Sequence, residues 1–315
     1  MKVAVLDDYQ GVALTSADWG PVTTAAEVVT FRDHIDDEAT LVERLRDVDV
    51  VVVMRERTPL TASLLAALPA LRLIVTTGPS NASIDVDAAR GRGIVVSGTG
   101  GYTEQTVELT WGLILGLARH IPEESAALRA GDWQVTVGTD LHGKTLGLVG
   151  LGRIGVGVAK VATAFGMRVV AWSQNLSPEH AAGAGCLFVD KDELFRQADI
   201  VSIHLVLSER TAGIVGSAEL AAMKPSAFLI NTSRGPLVEE RDLVDALTNG
   251  RIAGAGLDVF SHEPLPDGHP FRTLPNVLAT PHIGYVTRET YQLFFREIVE
   301  DITAFLRGDP IRLIP

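Results

Sequence analysis

The chain reads as an α/β protein built on two doubly wound parallel sheets. Three observations predict this. Short apolar runs of strand length alternate with helical stretches along most of the 315 residues, and such alternation makes parallel strands joined by crossover helices. The alternation comes in two series, one ending near Ile94–Val96 and the other starting at Leu146. The second series opens on Gly150-Leu-Gly152-Arg-Ile-Gly155, which fits G-x-G-x-x-G between a strand-like and a helix-like run.

In the first series, Val3–Leu6, Val28–Phe31, Val50–Met54, Leu73–Thr76 and Ile94–Val96 read as strands, with helices at Glu38–Leu45, Ala62–Leu68 and Asp85–Arg90 between them. Gly98-Thr-Gly-Gly-Tyr reads as a flexible segment, and Thr106–His120 after it as a connecting helix. The second series has strands near Leu146–Val149, Arg168–Trp172, Ile200–His204, Phe228–Asn231, Gly254–Asp258 and Val277–Ala279. Its helices are near Arg153–Phe165, Lys191–Gln197, Ser217–Met223 and Glu239–Asn249. Thr287–Leu306 is a long helical pattern with Tyr291, Phe294, Phe295, Ile298, Ile302 and Phe305 on its apolar side. The expected organisation is an insertion: residues 101–285 form one domain inside another made of residues 1–100 and 286–315. Hinges are expected near Gly100 and Gly284, with the active site in the cleft between the domains.

Composition narrows the function. The net charge is −12, from 39 acidic and 27 basic side chains, with no Lys/Arg-rich tract. That argues against nucleic acid, whose backbone needs a positive footprint. Apolar residues make up 46% and charged residues 21%, as in ordinary soluble proteins. The N-terminus, Met1-Lys-Val-Ala-Val-Leu-Asp-Asp, has no long apolar region, and no run reaches membrane-spanning length. A cytoplasmic protein without a membrane partner is expected. Cys186 is the single cysteine, sits among apolar neighbours and reads as a small core residue. No cysteine cluster or H-E-x-x-H is present, so no metal is expected.

The glycine fingerprint carries a mechanism. Gly150 makes the turn, Gly152 lets backbone approach phosphates, and Gly155 lets helix and strand pack closely. The helix starting at Arg153 and Ile154 then offers unpaired amides and a partial positive charge to a pyrophosphate. A competing pattern, Gly138-Thr-Asp-Leu-His-Gly143-Lys144-Thr145, matches G-x-x-x-x-G-K-[ST]. A phosphate loop of that kind needs a helix to begin at the Lys-Thr. Here three glycines follow within seven positions, Leu146-Gly-Leu-Val-Gly-Leu-Gly, so a strand is expected and the nucleoside-triphosphatase reading is set aside.

Three downstream segments carry chemistry: Asn231-Thr-Ser-Arg234-Gly, Leu257-Asp258-Val-Phe-Ser-His-Glu263-Pro, and Thr280-Pro-His282-Ile-Gly284. Each follows a predicted strand, where open parallel sheets bind ligands. An Arg, a Glu and a His converging there suit hydride transfer at a hydroxyl carbon. A His takes the hydroxyl proton, a carboxylate on its ring fixes the tautomer, and a guanidinium holds an α-carboxylate by two parallel bonds.

These motifs resemble the D-isomer-specific 2-hydroxyacid dehydrogenase family, over nearly the whole chain. The resemblance implies a Rossmann NAD(P)-binding domain inserted in a flavodoxin-like substrate domain. It implies Arg234, Glu263 and His282 as the catalytic set, and Asp258 as the partner of the nicotinamide carboxamide. Cofactor contacts are implied at Gly150, Gly152, Arg153, Ile154, Gly155, Ser173, Thr106, His204, Thr211, Thr232 and Gly284. A substrate loop is implied at Thr76–Asp85, where Gly78, Ser80 and Asn81 would bind a carboxylate by backbone amides, with Arg55 and Arg234 on the substrate side. The substrate would be a small 2-hydroxy or 2-oxo acid, and the protein a homodimer.

The chain departs from the family pattern at several positions. Ser173 stands where the family often has Asp, and Ser173–Pro178 contains no Arg or Lys. The cofactor is therefore read as NAD, with NADP not excluded and discrimination weak. Pro79 removes one amide from the substrate loop, and Val206 replaces a proline of the family pattern. Arg55 and Arg57 allow two readings: contacts to a phosphorylated or dicarboxylic substrate, or exposed arginines beside Glu56. Tyr9, Trp133 and Tyr285 either close the cleft over a bulkier substrate or pack. His204 reads as structural or cofactor-adjacent, and His262 and His269 as solvated loop residues. With the chain ending at Pro315, no serine-sensing domain is expected. The alternative from another class is a nicotinamide-sensing binding module of the corepressor type.

Overall fold

A computed structural model describes residues 1–315. The chain divides into two compact units, Met1–Tyr102 with Val286–Pro315, and Thr103–Tyr285. The first unit holds β1 (Lys2–Val5), β2 (Glu27–Thr30), β3 (Val50–Val53), β4 (Leu73–Thr76) and β5 (Val95–Gly98). All five are parallel, in the order β2-β1-β3-β4-β5. Every residue of β3 and β4 is buried, because helices cover both faces of a parallel sheet and leave no polar side. The short helices α1 (Gly20–Thr23), α2 (Glu38–Leu45), α3 (Ala62–Ala66) and α4 (Val86–Gly91) lie between the strands. Three of them start where the sequence offers a cap: Asp37, Thr61 and Asp85 accept from the amides of Thr40, Leu64 and Ala88.

The second unit begins with α5 (Glu104–Ala118) and α6 (Ile121–Ala130) and continues through β6 (Thr145–Val149), α7 (Arg153–Ala164), β7 (Arg168–Trp172), α8 (Pro178–Gly183), β8 (Leu187–Phe188), α9 (Lys191–Gln197) and β9 (Ile200–Ile203). It ends with α10 (Ser217–Ala222), β10 (Phe228–Asn231), α11 (Glu240–Thr248), β11 (Gly254–Leu257) and β12 (Val277–Ala279). The seven parallel strands run β12-β11-β10-β9-β6-β7-β8. The chain leaves β6 toward β7 and β8, then crosses back to β9, so winding reverses between β6 and β9. Such a switch point is where open α/β sheets take ligands, and the glycine turn after β6 lies on it. Thr145 begins a strand, not a helix, which removes the triphosphatase reading of Gly138–Thr145.

Sequence periodicity did not reveal α6, α8 or β8. No residue of α6 is buried, so it has no apolar stripe to read. The other two are six and two residues long, shorter than the repeats such a reading needs. Cys186 is buried, and burial pushes its thiol up.

The last helix, α12 (Arg288–Leu306), belongs to the first unit and starts at Thr287, whose hydroxyl accepts from the Thr290 amide. It buries Tyr291, Phe294, Phe295, Ile298 and Ile302; Phe305 is half-buried under the Arg72 guanidinium. Asp301 on the same helix is buried, and burial pushes its carboxyl up to about 7 against the pull of Arg312. No helix is long and apolar enough to cross a membrane.

Candidate functional site

The turn after β6 is built for close approach. Gly150 has φ +106°, and a side chain there would run into the His204 carbonyl at 2.7 Å. A Cβ on Gly155 would collide with the Gly150 carbonyl, so only glycine lets α7 pack onto the strand end. Around Gly152 there is open space, and no side chain caps α7. The amides of Arg153 and Ile154 go to no protein acceptor. An uncapped twelve-residue helix with open space over its first turn suits a dinucleotide's pyrophosphate.

The three downstream motifs meet at the same edge of this sheet. After β10, the Asn231 side chain accepts from the Ser233 amide at 3.0 Å and donates to the Arg234 carbonyl at 2.9 Å. That closes a turn which presents Arg234, whose Nη1 donates to the Ser233 carbonyl at 2.7 Å. A side chain on Gly235 would collide with the Phe260 carbonyl. The glycine thus lets the segment after β11 pass directly beside Arg234, and Glu263 follows three residues later. Glu263 Oε1 accepts from the Phe260 amide at 2.9 Å, and its Oε2 bonds His282 Nδ1 at 2.6 Å. Burial alone would raise the Glu263 carboxyl. The His282 bond, the Phe260 amide and the Arg234 charge together hold it below the usual carboxylate range.

His282 has φ +52°, and its ring lies edge-on to Tyr285 at 5.7 Å. Its loop is tied down by Asp258. That carboxylate accepts from Thr280 Oγ1 at 2.6 Å and from the Ile283 and Gly284 amides, both at 2.8 Å. Burial nevertheless pushes the Asp258 carboxyl up. Each carboxylate oxygen accepts two bonds, and Oδ2 takes only the one from Gly284, so it has capacity for a ligand amide.

The remaining second-unit positions serve structure in part. Thr106 Oγ1 donates to the Gly284 carbonyl at 3.4 Å, and Thr232 shares a 2.8 Å hydroxyl bond with Thr110. Thr211 Oγ1 accepts from the Ser208 amide and donates to the Val206 carbonyl, bracing its own loop. His204 bonds Ser202 Oγ at 2.9 Å, and its dense surroundings push it down to about 4. Ser173 is half-buried just past β7. Beside it, Gln174 Nε2 donates to the Arg210 carbonyl at 3.0 Å, bringing in a loop from 36 residues away. Trp133 is 77% exposed. The expectation that His269 is solvated is corrected: its Nε2 bonds Glu240 and its Nδ1 accepts from the Phe271 amide.

In the first unit, Arg55 (φ +53°) and the loop after β4 lie at the C-terminal edge of the sheet. The Arg55 guanidinium covers Gly78, and its Nη1 donates to the Thr77 carbonyl at 3.2 Å. The Gly78 amide goes to Thr99 Oγ1 at 2.8 Å. Asn81 is buried, and its side chain donates to the Arg55 carbonyl and to Thr76 Oγ1. The amides of Ser80 and Asn81 go to no protein acceptor. Arg57 is not exposed, as one of its two readings required. It is 9% accessible, lies over the Tyr9 ring at 4.7 Å and donates to the Asp7 carbonyl at 3.1 Å. Stacking and desolvation hold its apolar stem and planar head inside.

Residues 111–284 match the family model described as D-isomer specific 2-hydroxyacid dehydrogenase, NAD binding domain. The chain is 38% identical to a glyoxylate reductase of Thermococcus litoralis, over 85% of this chain and 84% of that protein. It is 40% identical to a D-3-phosphoglycerate dehydrogenase of Methanocaldococcus jannaschii over 85% of its own length, but spans only 52% of that protein. Among solved structures it is similar to a phosphoglycerate oxidoreductase of Vibrio cholerae, with TM-score 0.93 and 39% identity over 98% of this chain and 99% of the other.

Proposed function

The chain belongs to the D-isomer specific 2-hydroxyacid dehydrogenase family and is an NAD(P)-dependent oxidoreductase of 2-hydroxy and 2-oxo acids, and from that premise we propose that His282, Glu263 and Arg234 are its catalytic set. The observation that carries the reading is the 2.6 Å bond between His282 Nδ1 and Glu263, with the Arg234 charge beside that carboxylate. When bound, the nicotinamide dinucleotide supplies or accepts the hydride. The protein's own groups do the rest. With Nδ1 committed to Glu263, His282 meets the substrate through Nε2, giving a proton to the 2-oxo oxygen in reduction and taking it back in oxidation. Glu263 holds the ring's orientation and tautomer. Arg234, on a turn fixed by Asn231, offers a planar fork to the substrate carboxylate and polarises the adjacent carbonyl oxygen. Asp258 fixes the loop bearing His282 and keeps an acceptor for the carboxamide of the nicotinamide.

Ser80 and Asn81 are read as carboxylate donors through their backbone amides, while Gly78 and the Asn81 side chain shape the loop. Arg55 is read as the contact to a second anionic or polar group of the substrate. Arg57, stacked and buried, supports Tyr9 and is not part of that contact. A homodimer is the proposed assembly. Ile121, Leu128, Trp133, Val135 and Val137 are all exposed within one stretch of the second unit, and a segment that concentrates exposed apolar side chains suits an association site.

The test follows loss of NADH and of NADPH absorbance with glyoxylate, hydroxypyruvate, 3-phosphohydroxypyruvate, pyruvate and phenylpyruvate. Turnover with at least one acid, lost in His282→Ala, is the expected result. Tight nucleotide binding without turnover of any acid would replace this reading with the nicotinamide-sensing module.

A further inference from the structure

Resting on the dehydrogenase reading, we infer that this chain recognises a 2′-phosphorylated dinucleotide through Arg210, which Gln174 anchors beside Ser173. In a doubly wound nucleotide domain the adenosine ribose lies against the end of the second strand. A carboxylate there accepts both ribose hydroxyls and excludes a 2′-phosphate, whereas an arginine nearby accommodates it. Here the second strand of the unit is β7, and the position past its end is Ser173, a hydroxyl that can donate to a phosphate oxygen.

No cation lies within Ser173–Pro178, but the fold brings one from elsewhere. The bond from Gln174 Nε2 to the Arg210 carbonyl fixes the loop after β9 against the tip of β7. That loop is rigid on its own account. The Thr211 and Ala212 amides both donate to the Ser208 carbonyl, at 3.0 and 2.9 Å, and the Thr211 hydroxyl bonds Val206 and Ser208. Arg210 therefore has a fixed backbone and an exposed side chain. The other cation near this strand end is Lys191, over the Trp172 ring at 5.9 Å, and it is paired with Glu219 at 2.7 Å. Glu209 and Glu179 are exposed acids of the neighbouring segments, but neither occupies the strand-end position that would exclude a phosphate. A hydroxyl thus stands where a carboxylate would enforce the unphosphorylated cofactor, and the anchored backbone of Arg210 keeps a guanidinium on the adjacent loop.

Calorimetric titration of the intact protein with NAD+, NADP+ and adenosine 2′,5′-bisphosphate tests this without turnover. NADP+ is expected to bind at least as tightly as NAD+, and the bisphosphate to compete with it. Arg210→Ala should weaken NADP+ about tenfold and NAD+ far less, as for loss of one charge-assisted contact. Ser173→Asp should reverse the preference. A wild-type protein that favours NAD+ by tenfold or more, or an Arg210→Ala that weakens both nucleotides equally, would overturn the inference while leaving the dehydrogenase reading intact. If neither nucleotide binds, the site assignment beneath both is wrong.

Discussion

Two histidines in the second unit show how one residue type is set to opposite tasks. His204 follows β9 and His282 follows β12, at the same edge of one parallel sheet, and each is half-buried. His282 has a carboxylate on its ring, Glu263 at 2.6 Å. His204 has a hydroxyl, Ser202 at 2.9 Å. A carboxylate welcomes a charged ring; a hydroxyl can donate to a neutral one and cannot balance a charge. Burial then pushes His204 down to about 4, so it stays neutral at working pH and serves as a wall behind the Gly150–Gly155 turn. The partner, more than the motif, decides which histidine can move a proton.

The largest expected effect separates the two directly. His282→Ala should lower kcat by about 10³-fold, within the usual span for a lost general acid/base, with dinucleotide affinity retained. His204→Asn should change kcat by no more than about threefold, since a group held neutral transfers no proton. Steady-state kinetics on both variants, with nucleotide titration as a control, makes the comparison; equal losses would break it.

A second, smaller effect tests the partners themselves. Glu263→Gln keeps a hydrogen bond to His282 but removes the charge and allows the wrong tautomer. A fall of about 10²-fold in kcat with little change in KM is expected. Ser202→Ala, the matching change at the other ring, should leave kcat within about twofold. Should Glu263→Gln raise KM and spare kcat, Glu263 would be a binding residue and the proton-transfer assignment would need another orienting group.

Much of this site is legible in sequence because each part follows a strand end. Gly150–Gly155, Asn231–Gly235, Asp258–Glu263 and Thr280–Gly284 all lie where a parallel sheet must present its loops. Even the glycine of the Arg234-Gly pair has a readable purpose once Phe260 is seen beside it. What stayed hidden depends on contacts without local pattern. The Gln174–Arg210 bond joins segments 36 residues apart, so scanning Ser173–Pro178 for a cation could not find it. Neither reading of Arg57, substrate contact or exposed arginine, included its burial, because a charged residue beside Glu56 gives no sign that Tyr9, far away in sequence, stacks on it. His269 looked solvated for the same reason, its partner Glu240 lying on α11. The helix α6 buries nothing, and amphipathic periodicity has nothing to report where no face is buried.

The least effect expected is on stability, and it sharpens the comparison from the His204 side. An unfolded histidine takes its proton near 6.5, whereas folded His204 takes it near 4. Between those values the unfolded chain binds a proton the folded chain does not, so this group's contribution is intact above pH 6.5 and is lost as pH falls toward 4. The loss is at most about 3 kcal/mol. Asp301 in the first unit works in the opposite sense. Its carboxyl is raised from 3.8 to about 7 by burial, so the folded state holds the extra proton, and acidification from pH 7 favours folding. Between pH 7 and pH 5 these two terms therefore act in opposite directions. The variants resolve them. In chemical denaturation at pH 7 and pH 5, His204→Asn should gain stability relative to wild type at the lower pH, and Asp301→Asn should lose the advantage that acid confers. A His204→Asn protein that tracks the wild type at both pH values would mean that the ring titrates normally and that the contrast with His282 lies in geometry alone.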